Sequence, residues 1–273
     1  MITFPGCKIN IGLNVLEKRQ DGYDSLESVF YPLRLTVFLE IVPVGGNVSS
    51  MVIKSTGIRM YGPREKNLCM KAYMELSRHY SLPPVKSHLH KIVPIGAGLG
   101  GGSADAAHTL LLLNKLFRLG MSDSDLESIA AELGSDCPFF IKNKAVIASG
   151  RGEIFEPLNL KLKNYFLTIV KPRVHVSTAE AYSGIQPRKP AVSLKELIRL
   201  PIDSWKENIS NDFEDVIFNK YPSVAKIKQN LYKLGAVYAS MSGSGSAVYG
   251  IFKEEKNLSA YFRSCTVWHG KMN

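Results

Sequence analysis

The stretch PIGAGLGGGSADAA, residues 94–107, constrains this chain more than any other. Five glycines fall between positions 96 and 102, and an alanine-rich run follows. Glycine loses the most backbone freedom on ordering, so such a cluster needs a use close to the backbone itself. Several uses compete. Gly96-x-Gly98-x-x-Gly101 matches the dinucleotide fingerprint, but that fingerprint also needs an acidic residue at a strand end about twenty positions on. Here Asp123 and Asp125 sit at a helix start, and the loop lies in mid-chain. The Walker pattern fails because no lysine follows the glycines. A purely structural loop is another use. The last is a cradle: amides without Cβ atoms close around phosphate oxygens, and the dipole of the following helix adds positive partial charge. Ser103 can add a hydroxyl donor or a metal contact. The most economical reading is a nucleotide-phosphate cradle of a non-Walker type.

Alternation and spacing place this loop among strands and helices. KINIGLNV (8–15) puts Ile9, Ile11, Leu13 and Val15 on one face and Lys8, Asn10, Gly12 and Asn14 on the other. That pattern predicts a half-buried strand. After a turn at DGYD and mixed residues, 34–44 and 48–55 read as two strands joined at Gly45-Gly46. Residues 67–80 have helical spacing, and 87–94 read as a strand entering the glycine loop. Beyond it, 103–119 predicts a helix with Ser103 as N-cap and Gly120 as C′ residue. Residues 124–133 predict a helix opened by a Ser124–Glu127 capping box and ended before Gly134. Residues 138–149 look like a hairpin. In the second half, 164–172 reads as a strand, 184–193 as a surface loop and 222–234 as a helix with Pro222 in its first turn. AVYAS and SAVYGIF read as strands around a second glycine–serine loop, MSGSGS (241–246). Strands and helices in both halves predict an α+β fold in two lobes.

The formal net charge of +10 suits an acidic partner or a solvated basic surface. No concentrated Lys/Arg run with interleaved aromatics appears, so nucleic-acid binding is not expected. Cys7, Cys69, Cys137 and Cys265 are scattered without C-x-x-C spacing, which argues against a zinc site and a disulfide framework. The chain reads as reduced and cytoplasmic. It has no signal-peptide pattern at its start and no apolar run long enough for a membrane span.

Pro94-x-x-x-Gly98-Leu99-Gly100-Gly101-Gly102-Ser103-Ala104 resembles the ATP motif of the GHMP kinases, such as galactokinase, homoserine kinase and mevalonate kinase. CKINIGLNV (7–15) resembles that superfamily's first motif and MSGSGSAVYGIF (241–252) its third. KINIGLNVLEKRQDGYDSLESVFYPL (8–33), LGSDCPFF (133–140) and VHVSTAEAY (174–182) are similar to the subfamily that acts on 4-diphosphocytidyl-2-C-methyl-D-erythritol. The resemblance runs over nearly the whole chain. It implies a two-lobed fold, with a ribosomal protein S5 domain 2-like N-terminal lobe over 1–155 and a ferredoxin-like C-terminal lobe over 156–273. It also implies transfer of the γ-phosphoryl of ATP, with Mg2+, to the substrate's 2-hydroxyl, in the non-mevalonate isoprenoid pathway. The partner is then a cytidine-diphosphate-linked small molecule, and the chain is expected to be a monomer or weak homodimer.

The same resemblance implies roles residue by residue. Asp136 maps to the catalytic base, and Lys8 to the lysine that orients it and holds the acceptor hydroxyl. Asn10 would bind the polyol or diphosphate. Tyr23 and Tyr182 would clamp the cytosine. Asp24 stands where the subfamily usually has His; a backbone contact to cytosine is compatible with that change, and a side-chain contact is left open. Asn67 and Lys91 fall on the adenine side of ATP. Gly96 and the motif residues from Pro94 to Ala104 would hold the phosphates. Ser242 and Gly243 would approach the substrate diphosphate or the active-site turn. No clustered carboxylates reveal a metal cage, so Mg2+ would be held mostly by phosphates, with Ser103 as a candidate contact. Two other readings compete: another GHMP small-molecule kinase, and a non-catalytic ligand-binding regulator on the same fold. The D-G-Y and Tyr182 segments argue against the first. Intact Lys8, Asp136 and both glycine loops argue against the second.

Overall fold

The structure, a computed structural model, describes residues 1–45, 50–60 and 62–272. Its first half runs β1 (Ile2–Thr3), β2 (Cys7–Lys18), β3 (Asp24–Leu33), β4 (Phe38–Pro43), β5 (Met51–Gly57), α1 (Leu68–His79) and β6 (Val85–Lys91). Then come α2 (Gly101–Phe117), α3 (Asp123–Leu133), α4 (Phe139–Lys142), β7 (Val146–Ser149) and β8 (Ile154–Pro157). The second half runs β9 (Phe166–Lys171), α5 (Thr178–Tyr182), α6 (Leu194–Leu197), α7 (Trp205–Asn208), α8 (Phe213–Lys220) and α9 (Pro222–Lys233). It closes with β10 (Tyr238–Met241), β11 (Val248–Phe252) and β12 (Thr266–Lys271). Strands and helices mix throughout, so the α+β expectation holds.

These elements gather into two compact units that are not sequential in the chain. The first holds residues 1–7, 35–95 and 100–144. Its sheet has the order β1-β4-β6-β5, with β5 parallel to β6 and the other pairs antiparallel. α1 turns Cys69, Ala72, Tyr73 and Leu76 inward at helical spacing, and α2 buries Ala104, Ala107, Leu110 and Leu113. The strands expected over 34–44 and 48–55 therefore do not form a hairpin: β6 lies between β4 and β5. Positions 46–49, including part of the expected turn, lie outside the described residues.

The second unit holds residues 8–34, 96–99 and 145–273. It has two four-stranded sheets, ordered β2-β3-β7-β8 and β10-β11-β9-β12. The core beside the latter includes Leu13 and Val15 of β2 with Val170, Phe213, Ile217, Leu231, Met241 and Phe252.

Five local readings change. β2 is buried on both faces, with Lys8 3% and Asn10 2% exposed, so its polar face looks into protein and not into water. The N-cap of α2 is Gly100, in the left-handed conformation at φ 66°, and Ser103 is the third helical residue. At its other end Arg118 is the C-cap, at φ 52°, and Gly120 lies two residues beyond it. The capping box of α3 is Ser122–Asp125 and not Ser124–Glu127, with each side chain bonded to the other's backbone amide. Residues 138–149 hold the helical turn α4 and then β7; Pro138, at φ −60° and ψ −32°, presets that turn.

Candidate active site

Three sequence motifs far apart in the chain meet at Asn10, all within the second unit. The Asn10 amide donates to Ser242 Oγ at 3.2 Å, and that hydroxyl donates to the Gly98 carbonyl at 2.8 Å. The Lys8 amide donates to the Leu99 carbonyl at 2.9 Å. The approach is so close that a Cβ on Gly98, at φ +76°, would sit 1.8 Å from the Ser242 carbonyl oxygen. A Cβ on Gly243, at φ +54°, would sit 3.1 Å from Asn10 Oδ1. Only glycine lets the two loops and the strand share this space.

The polar face of β2 is wired into this junction. Lys8 Nζ donates to Asn10 Oδ1 at 2.5 Å and lies 4.4 Å from the centre of the Phe30 ring. Asn10 Nδ2 donates to Ser28 Oγ, which donates on to the Gly12 carbonyl. With donor and acceptor both engaged, the Asn10 amide has one orientation. From the other side, Tyr249 Oη donates to the Asn10 carbonyl at 2.8 Å. Asn211 Nδ2 donates to the carbonyls of Met241 and Gly243, both at 2.8 Å, and so fixes the second glycine loop. Glu214 receives the Met241 amide, the Ser240 hydroxyl and Lys228. The sequence reading missed Ser28, Asn211, Glu214 and Tyr249. None of the four has a local signal: β3 loses its alternation where both of its faces are buried, and the groups of the second glycine loop and β10 that Asn211 and Glu214 hold lie 26–32 positions away.

In the first unit, the helix expected to follow the glycines does so, and its opening residues can hold an anion. α2 is 17 residues long, and its first turn is Gly101-Gly102-Ser103-Ala104. The first N–H groups of a helix have no internal acceptors. Gly102 is exposed and Gly101 and Ala104 are buried. A Cβ on Gly101 would sit 2.7 Å from Val93 Cγ1. Pro94, half-buried, ends the approach to the loop. Donors, dipole and bare backbone suit phosphate oxygens. Gly96 and Gly98 to Leu99 belong to the second unit, where the Gly96 backbone lies beside the His175 ring.

Lys91 and Asn67 are both engaged inside the first unit. Lys91 is buried, and its ammonium donates to the Gly101 carbonyl at 2.9 Å and to Asp105 Oδ2. Burial pushes the Asp105 carboxyl up to about 6, against the pull of Lys91. Asn67 is the N-cap of α1, its Oδ1 accepting the Cys69 amide at 2.8 Å.

Asp136 is half-buried in the turn between α3 and α4, so a helical turn follows it where a strand was expected. Its neighbour Cys137 is fully buried and shares a hydrogen bond with Ser103. Burial pushes that thiol up to about 11, so it stays neutral. The contact ties the Asp136 turn to the first turn of α2. Tyr23 lies at the β2–β3 turn, 56% exposed, with the Arg151 guanidinium 4.9 Å from its ring centre. Asp24 opens β3 and is half-buried. Tyr182 ends α5 and packs edge-on against Phe213, with ring centres 4.8 Å apart. Among the described residues, no three His, Cys, Asp or Glu side chains cluster as a metal site, and no helix is long and apolar enough to cross a membrane.

Comparison with known proteins shows the family. The family model of the GHMP kinase N-terminal domain matches residues 67–144, and that of the C-terminal domain residues 193–264. The 4-diphosphocytidyl-2-C-methyl-D-erythritol kinase of Bacteroides fragilis (strain YCH46) is 52% identical over 258 residues, 94% of each chain. That of Parabacteroides distasonis is 48% identical over 275 residues, covering 100% of both chains. A crystal structure of 4-(cytidine 5'-diphospho)-2C-methyl-D-erythritol kinase superimposes with a TM-score of 0.83 at 28% identity, over 100% of this chain and 99% of that one. Likeness of this depth from one end to the other places the chain in the GHMP kinases, within the family of 4-diphosphocytidyl-2-C-methyl-D-erythritol kinases.

Proposed function

We propose that this chain transfers the γ-phosphoryl of ATP to the 2-hydroxyl of 4-diphosphocytidyl-2-C-methyl-D-erythritol, giving the 2-phosphate and ADP. The observation that carries the reading is the junction of three motifs at Asn10, Gly98 and Ser242. A phosphoryl-transfer site has to hold a nucleotide loop and an acceptor-binding strand at fixed spacing, because positioning and charge stabilisation do most of the work.

In this scheme the amides of Gly100 to Ala104 receive the ATP phosphates. Pro94, Gly96, Gly98 and Leu99 shape the loop, and Asn67 lies on the adenine side. Asp136 takes the proton from the 2-hydroxyl as that oxygen bonds to the γ-phosphorus and the bond to the ADP oxygen breaks. Lys8 holds the acceptor hydroxyl. Asn10, its amide fixed by Lys8 and Ser28, binds the polyol or diphosphate, with Ser242 and Gly243 beside it. Tyr23 and Tyr182 stack on the cytosine, and Asp24 reads it through its backbone. Mg2+ would be held mostly by the phosphates, whose charge it would offset, with Ser103 as a candidate contact. A cytoplasmic setting and a monomer or weak homodimer complete the reading.

The test is ADP release from ATP and Mg2+ with the cytidyl substrate, homoserine or mevalonate offered separately. Turnover with the cytidyl substrate alone is expected; turnover only with another acceptor overturns the substrate assignment. Asp136→Asn should lower kcat about 10²- to 10⁴-fold, the range of general-base help. Lys8→Ala should also lower kcat severely, with both variants melting near the parent. Near-normal kcat in either variant removes that residue from its role.

A further inference from the structure

Beneath the first turn of α2 lies an ion pair that the phosphoryl-transfer scheme leaves unused. Lys91 ends β6, and its side chain is 3% exposed; Asp105 lies in the second turn of α2, 5% exposed. Lys91 Nζ donates to Asp105 Oδ2 and, at 2.9 Å, to the Gly101 carbonyl. The other carboxylate oxygen, Asp105 Oδ1, is buried with no hydrogen-bond partner. As filler this arrangement is poor. Replacing a buried ion pair by apolar side chains of similar volume is often neutral or stabilising, and an orphaned carboxylate oxygen adds to the cost of burial.

What the pair controls is the direction of one peptide plane. The Gly101 carbonyl and the Gly102 N–H belong to the same planar unit and point opposite ways. Holding the carbonyl down the helix therefore aims the Gly102 N–H at the open N-terminal end. Two glycines in the first helical turn would otherwise leave that plane loosely set. Lys91 is itself anchored: its carbonyl accepts the Ile58 amide at 2.7 Å, and a Cβ on Gly57 would sit 2.2 Å from that oxygen.

We propose that Lys91 and Asp105 are positioning residues for ATP: together they clamp the Gly101 carbonyl and thereby aim the phosphate-binding amides of the glycine loop. The proposal rests on the ATP-kinase reading. It assigns the Lys91 side chain to the loop's peptide geometry and not to the adenine.

The test compares the parent with Lys91→Met/Asp105→Leu, which removes both charges at similar volume, and with Asp105→Asn. ATP affinity is measured directly by calorimetry, and KM for each substrate and kcat by ADP release. The double variant should melt near the parent, bind ATP about tenfold more weakly, as expected for a lost hydrogen bond to a charged acceptor, and keep its KM for the cytidyl substrate. Asp105→Asn, which can still accept from Lys91, should show a smaller loss. A double variant that binds ATP like the parent overturns the proposal. So does one that loses affinity for both substrates alike, or one that does not fold, since each marks a merely structural pair. A parent that binds no ATP overturns the kinase reading first, and separately.

Discussion

At the scale of single residues, the site depends on bare backbone and on a few buried amides. Gly98 shows the first dependence. Its φ of +76° disfavours any L side chain, and the Ser242 carbonyl occupies the place of a Cβ. The conformational penalty alone is about 1–2 kcal/mol, before the clash is relieved by moving a loop. Gly98→Ala should therefore lower the unfolding free energy in urea by at least about 2 kcal/mol and abolish most ADP release. A variant with parental stability and turnover would mean that the two loops are not held together. Asn211 shows the second dependence. Its side chain makes three hydrogen bonds, two to carbonyls in or beside the second glycine loop and one from the Phe213 amide. Asn211→Ala leaves those groups buried and unpaired at roughly 1–3 kcal/mol each, partly relieved by water. It should destabilise the protein and lower kcat, because Ser242 loses its frame. Asn211→Asp, which keeps only the acceptor, should recover the Phe213 bond and little of the activity.

At the scale of elements, β6 and α2 form one device, and its charge state gives a pH signature. The groups around Asp105 are the Lys91 ammonium from β6, the Gly101 carbonyl from its own helix and the Cys69 thiol from α1, itself pushed up to about 12 by burial. Burial raises Asp105 to about 6, above its ordinary value. A carboxyl raised in the folded state holds its proton more tightly there than in the unfolded chain. Its contribution to stability is then fully present below about 4 and is lost as pH rises through about 6. Asp105→Asn has no such proton. The stability of the parent minus that of the variant, from urea unfolding, should therefore be more favourable to the parent at pH 4.5 than at pH 7. A difference that stays flat across that range would show that Asp105 titrates normally. Elements also mark where sequence pattern runs out. The glycine loop, α1, α9, β10 and β11 were legible because spacing and punctuation there are local. β3 was not, because its second half is buried on both faces and the alternation that signals a strand disappears. The order β4-β6-β5 was not, because a parallel neighbour comes from far along the chain and no local signal names it. The site shows the same division. Lys8, Asn10, Gly98 and Ser242 could be singled out by motif, while the side chains that hold them, Ser28, Asn211, Glu214 and Tyr249, follow from packing alone.

At the scale of the whole molecule, the second compact unit is assembled from both ends of the sequence. Residues 8–34 fold with 145–273, and β2 is the piece that joins them. Leu13 donates to the Ser210 carbonyl and accepts from the Asp212 amide, the Val15 amide donates to Asp212, and the Arg188 amide donates to the Val15 carbonyl. Leu13 and Val15, 3% and 0% exposed, belong to the same core as Phe213, Ile217 and Leu231. The cut between halves that a linear reading draws at 155/156 removes all of this from the C-terminal piece. A fragment of residues 156–273 would expose the apolar surface that β2 covers, along with several unpaired backbone groups. It should give at most a broad, weakly cooperative melt by circular dichroism and bind hydrophobic dye. Adding a peptide of residues 7–34 should sharpen the melt and reduce dye binding, because it restores the β2 contacts. A fragment that melts cooperatively without the peptide would show that β2 is carried by the second unit without being needed for it. The strand bearing Lys8 and Asn10 would then be held by a body that folds on its own. If the peptide is required, the strand bearing Lys8 and Asn10 is part of the core that folds the unit it serves, and the site is complete only when that core is.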